Sequence, residues 1–377
     1  MSGKLTCDIC FCKRSPASWI LSGYRILADK GLIQIGKTEI HDTFLKENLY
    51  PHNNIIEVRV GGRLIVYDYE NGYQSFLRPE LFDEQLENVD IYFKANCNSD
   101  YYVGLKNADK VKPFVAGTFS ATYPNNPFDR AKDNNSADKL SLSAIKAAVS
   151  KKLYAGKYLR ENDFRIYENE CVHYDTYDVL FWTRINETSI GENQAKKVYP
   201  FLSDEQASRV QTEWETMLND INNQRIELVR MLRDTLGERL IGGIADGETA
   251  QKLCPELITQ DARVITRPSY IKTMHSNIIG ITTQGHQHCI GARFGELLAA
   301  NRAIVTDSMY YTMPFAQNNV NYAECSSNGQ ICETLLDMLN NVDKVHAMED
   351  NNRKYYFEHF RPDAAVADSL RTAGIIL

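Results

Sequence analysis

The residue types that could do chemistry gather between Ser276 and Asp307, in the run SNIIGITTQGHQHCIGARFGELLAANRAIVTD. A polar, glycine-containing loop, Thr282–Gly291, leads into a helical pattern at Ala292–Ala300. Backbone N–H groups at such a helix start favour a phosphate, and Gly291 stands at that start. Arg293 falls in the first turn, where a guanidinium suits bidentate phosphate binding. Glu296 is three residues further, on the same helix face. For a nucleoside diphosphate, the loop amides and Arg293 would meet the phosphates, and the Glu296 carboxylate would accept hydrogen bonds from the ribose hydroxyls. A surface ion pair within the helix fits the same spacing, and both readings stay open.

Other residues carry weaker signals. Arg184 directly follows the apolar run Tyr177–Thr183, at a strand's carboxyl end, where a cation faces the ligand crevice of an open sheet. Its plain alternative is a strand-terminal surface residue. Lys272 lies in the preceding helix, and a solvated lysine is the favoured explanation of it. Gly243, in the pair Gly242-Gly243 after a strand, fits a ligand passing close to backbone or a tight turn. His286, His288 and Cys289 are zinc-ligand types, but no carboxylate cluster completes a set. A phosphate or sugar contact suits His288 better than a metal, a plain loop histidine competes with both, and no metal site is expected. Cys7, Cys10 and Cys12 contain half of a zinc pattern, no second pair follows, and a buried strand accounts for them. Asp68-Tyr69-Glu70 imitates a divalent-ion carboxylate pair but stands alone, as an acidic turn would. The chain lacks the phosphate-loop pattern, the Gly-x-Gly-x-x-Gly fingerprint after the first strand and the Gly-x-Ser-x-Gly elbow.

These residues need strands and helices to hold them. Apolar runs predict strands at Leu5–Cys12, Leu32–Ile35, Val89–Phe93, Val111–Ala116, Tyr177–Thr183, Arg239–Ile244, Val264–Thr266, Ile278–Ile281 and Ala303–Val305. Ile55–Val60 and Arg63–Tyr67 flank Gly61-Gly62, a hairpin signal. Helical patterns run over Ser18–Lys30, Leu140–Leu159, Ser203–Leu236, Glu248–Leu253, Pro268–Met274, Gln330–Leu339 and Lys344–His359, with a capping box at Ser203 and Gln206. Asn186–Pro200 and Asp307–Asn321 are expected as loops. The basic face of Leu140–Leu159 is that of a solvated helix, and it could also approach an anionic membrane surface.

A chain of 377 residues suits two domains of moderate size. The expectation is α/β: two Rossmann-like domains facing a central cleft, residues 1–170 and 171–350, linked between about Arg160 and Asp175. A net charge of −7 argues against a general nucleic-acid binder. No apolar run is long enough to span a bilayer. The opening MSGKLTCDICFCKR lacks an apolar signal core, so export is not expected. Nine cysteines without such a signal fit reduced thiols in the cytoplasm.

The run IGITTQGHQHCIGARFGELLAANRAIVTDS resembles the donor-site segment of GT-B glycosyltransferases, in the flavour found among bacterial capsule and exopolysaccharide enzymes. DVLFWTRIN (Asp178–Asn186), RLIGGI and NNRKYYFEHFRPDAAV (Asn351–Val366) are similar to further family segments in the same order. The resemblance covers Tyr177 to the C-terminus, and the first half only in general layout. It implies a metal-independent hexosyltransferase with a nucleotide-sugar as substrate and no cofactor. The acceptor would be a glycan or glycolipid, and the location cytoplasmic, at the inner face of the membrane for a lipid-linked acceptor. It assigns Glu296 to the donor ribose, and Arg184 and the Gly291 helix start to the diphosphate. Residues 351–377 would form a helical tail packing back on the first domain. His288 stands where many retaining members carry a glutamate, so the stereochemical outcome is not implied, and no catalytic base is assigned.

Overall fold

The computed structural model describes residues 4–12, 18–44, 50, 52–72, 78–115, 123, 163–188, 191 and 193–377. The basic helix expected at Leu140–Leu159 lies outside them. The chain divides into two compact α/β units, one of Met1–Ile166 with Phe357–Leu377, the other of Tyr167–Tyr356.

The first unit carries a six-stranded sheet of order β2-β1-β3-β4-β5-β6. Its strands are β1 (Leu5–Cys12), β2 (Ile33–His41), β3 (Ile55–Val60), β4 (Arg63–Asp68), β5 (Ile91–Ala95) and β6 (Val111–Phe114). Only β3 runs against its neighbours. The β3–β4 turn is the expected two-residue hairpin: Gly61 and Gly62 have φ of 57° and 77°, the doubly left-handed turn that matches strand twist. Helix α1 (Ser18–Asp29) ends in a Schellman motif, with Leu32 N–H on Leu27 O, Gly31 N–H on Ala28 O and Gly31 at φ 76°. Helix α2 (Pro79–Asn88) has no counterpart in the sequence reading. Cys7 and Cys12 are fully buried in β1, and burial pushes the Cys7 thiol up to about 12.

The last helix of the chain, α10 (Pro362–Thr372), belongs to this unit. It approaches α1 at Gly23, where a Cβ would stand 2.2 Å from Pro362 O. Lys30 Nζ meets Asp363 Oδ2 at 2.6 Å, and Tyr67 Oη and Ser369 Oγ are 2.6 Å apart. The acidic turn expected at Asp68–Glu70 is instead a buried charge cluster. Asp68 accepts from Tyr92 Oη (2.7 Å), Lys94 Nζ (3.1 Å) and Glu70 N–H (2.8 Å), with His52 Nε2 at 3.3 Å. Burial alone would raise its pKa; the Lys94 and His52 charges overcome that and hold it well below the usual carboxylate range. Its oxygens are consumed by these partners.

The second unit carries a wholly parallel sheet of order β11-β10-β9-β7-β8. The strands are β7 (Asp178–Thr183), β8 (Leu240–Ile244), β9 (Ile278–Thr282), β10 (Ala303–Asp307) and β11 (Ala323–Cys325). Taken in chain order this is 2-1-3-4-5, a doubly wound arrangement. Helix α3 (Gln194–Val198) interrupts the loop expected at Asn186–Pro200. Helix α4 (Asp204–Leu236) starts with the expected capping box: Ser203 Oγ accepts from Gln206 N–H, and Gln206 Oε1 accepts from Ser203 N–H. Helices α5 (Glu248–Leu253) and α6 (Arg267–Met274) follow, then α7 (Ala292–Ala299), α8 (Asn328–Asn340) and α9 (Val342–Tyr355).

The strand expected at Val264–Thr266 is a turn. Val264 is fully buried there, so its apolar character serves packing without a ladder partner. Ile279 and Ile281 join the core with Val229, Leu232 and Leu335 of α4 and α8. Gly280 points the other way, where a Cβ would stand 2.3 Å from Leu297 of α7, so α7 lies on the opposite sheet face. At the amino ends of the strands, Arg302 and Glu349 form a fully buried ion pair at 2.9 Å. No helix among the described residues is long and apolar enough to cross a membrane.

Candidate functional site

In an open parallel sheet, ligands bind outside the strand carboxyl ends where the winding direction reverses. Here that point lies between β7 and β9, because β8 lies beyond β7 on one side and β10 beyond β9 on the other. The residues after β7 and the loop Thr283–Gly291 after β9 therefore flank it. Both are pinned by one face of α4. Asn222, 1% exposed, accepts from Asn186 N–H (2.7 Å) and donates to Asn186 O (2.8 Å). Arg225, one turn on, donates to Arg184 O (2.9 Å), Gln284 O (3.0 Å) and Thr283 Oγ1 (3.3 Å). Burial, then the Arg293 charge, lower the Arg225 pKa to about 10.

Asp307, the last residue of β10, is buried, and its carboxylate accepts from Gln284 N–H (3.0 and 3.1 Å) and Gln224 Nε2 (2.9 Å). Burial pushes its pKa up, against these hydrogen bonds. Gln284 also donates its amide to Ser308 O, which turns its Oε1 toward His288 Nδ1 at 2.6 Å. Since Oε1 only accepts, His288 Nδ1 is the donor of this pair. Gln287 and His288 are left-handed, at φ 56° and 59°. Gln287 O accepts from Tyr311 Oη and Gln287 N–H approaches Met217 Sδ, each at 2.9 Å. Two adjacent non-glycine residues in this region cost roughly 1 kcal/mol or more each, and such strain gathers at functional loops.

Arg184 is exposed just past β7, and its guanidinium makes no hydrogen bond or ion pair among the described residues. Arg293 is half-buried, 5.5 Å over the Trp182 ring and 5.7 Å over the Tyr270 ring. Glu296 accepts from Tyr270 Oη at 3.2 Å and from the Tyr167 hydroxyl. Burial raises its pKa, and Arg293 and Arg267 oppose the rise. Arg293 and Glu296 thus share an aromatic enclosure of Trp182, Tyr270 and Tyr167. Gly291 caps α7 without any side chain. A Cβ there would stand 2.9 Å from both Thr282 Oγ1 and Thr283 O. Gly291→Ala is therefore expected to lower unfolding free energy by about 1–3 kcal/mol, as overpacking against backbone does, read from a denaturant titration.

The other expected residues lie on α6, in β8 and in the loop after β9. Lys272 is exposed on α6, two residues from Tyr270. Gly243, at φ 128° in β8, packs where a Cβ would meet Leu257 O at 3.1 Å and Arg233 Nη2 at 3.4 Å. His286, half-buried, packs edge-on to Trp214, and Cys289 is buried with its thiol raised to about 11 by burial. With His288 they do not converge on a common metal position.

A cleft of about 590 Å³ opens beside the switch point, between the α4 face from Thr212 to Gln224 and Gln284, His288, Asp307, Ser308 and Ser326. Glu213, Asp220 and Asp307 make its lining acidic, and among the described residues no arginine or lysine contributes. The cations stand at the β7 and β9 loops and the hydroxyl-rich, acidic space beside them. Chemically this suits an anion at the loops joined to a neutral polyhydroxyl group in the cleft.

Asn222, Gln224, Arg225 and Asp307 escaped the sequence reading. Asp307 carried the same strand-end signal as Arg184. Asn222 and Arg225 were visible only as polar residues interrupting the apolar stripe of Ile221, Ile226 and Val229.

No family model matches the chain, and no curated protein matches it. Among solved structures it is similar to Anabaena Alr3699/HepE in complex with UDP, at 11% identity and a TM-score of 0.43 over 97% of this chain and 99% of that one. The same protein in complex with UDP-glucose gives 10% identity and a TM-score of 0.39, over 98% and 99% of the two chains. A glycosyltransferase from Rickettsia africae ESF-5 gives 11% identity and a TM-score of 0.37, over 98% of each chain.

Proposed function

We propose that the chain is a GT-B glycosyltransferase that moves a hexose from a nucleoside-diphosphate sugar to a glycan or glycolipid acceptor in surface-polysaccharide synthesis. The observation that carries this reading is the grouping of cations at the switch point of the second unit. Arg225 is locked between the two loops, Arg293 is close enough to lower its pKa, and Arg184 has no ion-pair partner among the described residues at the end of β7. Departure of a nucleoside diphosphate needs its growing negative charge stabilised, and fixed guanidinium groups with helix N–H groups can do this without a metal ion. In this reading Glu296 accepts the ribose hydroxyls and the acidic cleft beside Asp307 holds the sugar. A lipid-linked acceptor would bring the chain to the inner face of the membrane.

Calorimetric titration with the diphosphates of uridine, guanosine, adenosine and cytidine tests the proposal. One of them is expected to bind equally well with and without chelator, and failure of all four to bind would sink it. Glu296→Ala is expected to weaken that binding about tenfold or more, the loss of a hydrogen bond to a charged group. An unchanged affinity would leave Glu296 a packing role only. Transfer from the matching nucleotide sugar to an acceptor separates an enzyme from a silent binder.

A further inference from the structure

We propose that Cys171, His173 and Asp350 form a zinc site in the second unit, away from the loops at the strand carboxyl ends. Three ligand atoms face one another: Cys171 Sγ to Asp350 Oδ1 is 3.5 Å, His173 Nε2 to Asp350 Oδ1 is 3.1 Å, and Cys171 Sγ to His173 Nε2 is 3.9 Å. A tetrahedral zinc ion bound at its usual distances of about 2.3 Å to sulfur and 2.0–2.2 Å to nitrogen or oxygen separates its ligand atoms by roughly 3.3–3.6 Å. Each observed separation lies within about 0.4 Å of that range.

The pattern of contacts distinguishes this triad from a nucleophilic relay. A relay uses both ring nitrogens of the histidine, one toward the thiol and one toward the carboxylate. Here the single atom Nε2 faces both, and the single oxygen Oδ1 faces both other ligands. The three ligand atoms lie within 4.8 Å of one another, as metal ligands do. The His173 ring is held for that task. It stacks on His346 at 4.3 Å and 5°, and His346 Nε2 bonds Tyr174 O at 3.0 Å. Thiolate, imidazole and carboxylate together favour zinc over magnesium or calcium, whose sites are built from oxygen. Three protein ligands leave the fourth position for water.

Cys171 and His173 lie on the segment leading into β7, and Asp350 lies on α9, so the ion would clip these two together. Sequence spacing hid the site, because Asp350 is far along the chain from the Cys-x-His pair.

Titrating the chelator-stripped full chain with Co2+ tests the proposal. One equivalent is expected to bring visible bands of a tetrahedral site and a near-ultraviolet thiolate-to-cobalt band, both bleached by Zn2+. Cys171→Ser should abolish the thiolate band and His173→Ala should weaken the visible bands, whereas Cys10→Ser, at another half-buried thiol, should leave both intact. Zn2+ should raise the thermal midpoint of the parent and not of Cys171→Ser, with equal midpoints for the two in chelator showing that the variant is folded. Absence of the thiolate band in the parent, or its persistence in Cys171→Ser, would overturn the site. So would a midpoint that Zn2+ leaves unmoved.

Discussion

Arg302→Met is expected to lower the unfolding free energy of the second unit by about 3–5 kcal/mol, the usual cost of removing one partner of a buried ion pair. Both side chains are fully buried. Arg302 Nη1 donates to Glu349 Oε1 (2.9 Å) and Ser276 O (3.2 Å), and Nε donates to Ala300 O (3.0 Å). Glu349 Oε2 accepts from Tyr177 Oη at 2.9 Å. The cluster therefore ties the entries of β7, β9 and β10 to α9. Methionine fills much of the volume but leaves the carboxylate without its cation. Burial pushes the Glu349 pKa up, and Arg302 and Tyr177 pull it back. With Arg302 gone the pKa rises further. A carboxyl that binds its proton more tightly folded than unfolded contributes stability at low pH and loses it as pH rises through the folded pKa. The variant should accordingly lose more stability at pH 8 than at pH 5. A double replacement, Arg302→Met with Glu349→Leu, should recover most of the loss, since an apolar pair of similar volume can match a buried ion pair. Denaturant midpoints of the parent and the two variants at both pH values decide the matter. A loss below about 1 kcal/mol for the single variant would mean that water reaches the pair.

The second large effect concerns Arg225. Arg225→Ala is expected to weaken nucleoside diphosphate binding about 100-fold, equivalent to about 2.7 kcal/mol. Its three bonds cross from α4 to both loops of the switch point, so its removal frees the backbone on each side. Its charge also stands near Arg293 in a partly dehydrated place, a repulsion that an anion between them relieves. Arg225→Lys should recover little, because an ammonium point charge does not reproduce the planar fork that reaches two carbonyls at once. Calorimetry of the parent and both variants measures this. Equal affinities would confine Arg225 to loop packing, and the anion-binding reading would then rest on Arg184 and Arg293.

Much of the secondary structure was legible because its signals are local. Leu5–Cys12 is an apolar run, Gly61-Gly62 supplies a turn that needs two positive φ values, and Ser203 with Gln206 caps the long helix. The βαβ unit from Ile278 to Asp307 follows from the same rules. Misreadings arose where local pattern and burial part company. Val264 is apolar because it is buried in a turn, and β11 has only three residues, too few to show a period.

What the sequence by itself determined is most of the longer elements and the loop–helix start that carries Gly291, Arg293 and Glu296. The tertiary structure decided the order β11-β10-β9-β7-β8, and with it which strand ends flank the switch point. It alone set Arg225 against Arg184 and Gln284, Lys94 against Asp68, and Asp350 against Cys171 and His173. The physical reason is range. Helix caps, turns and periodicity act over a few residues, whereas a buried charge finds its partner only when sheet order and helix packing bring distant segments within hydrogen-bond reach.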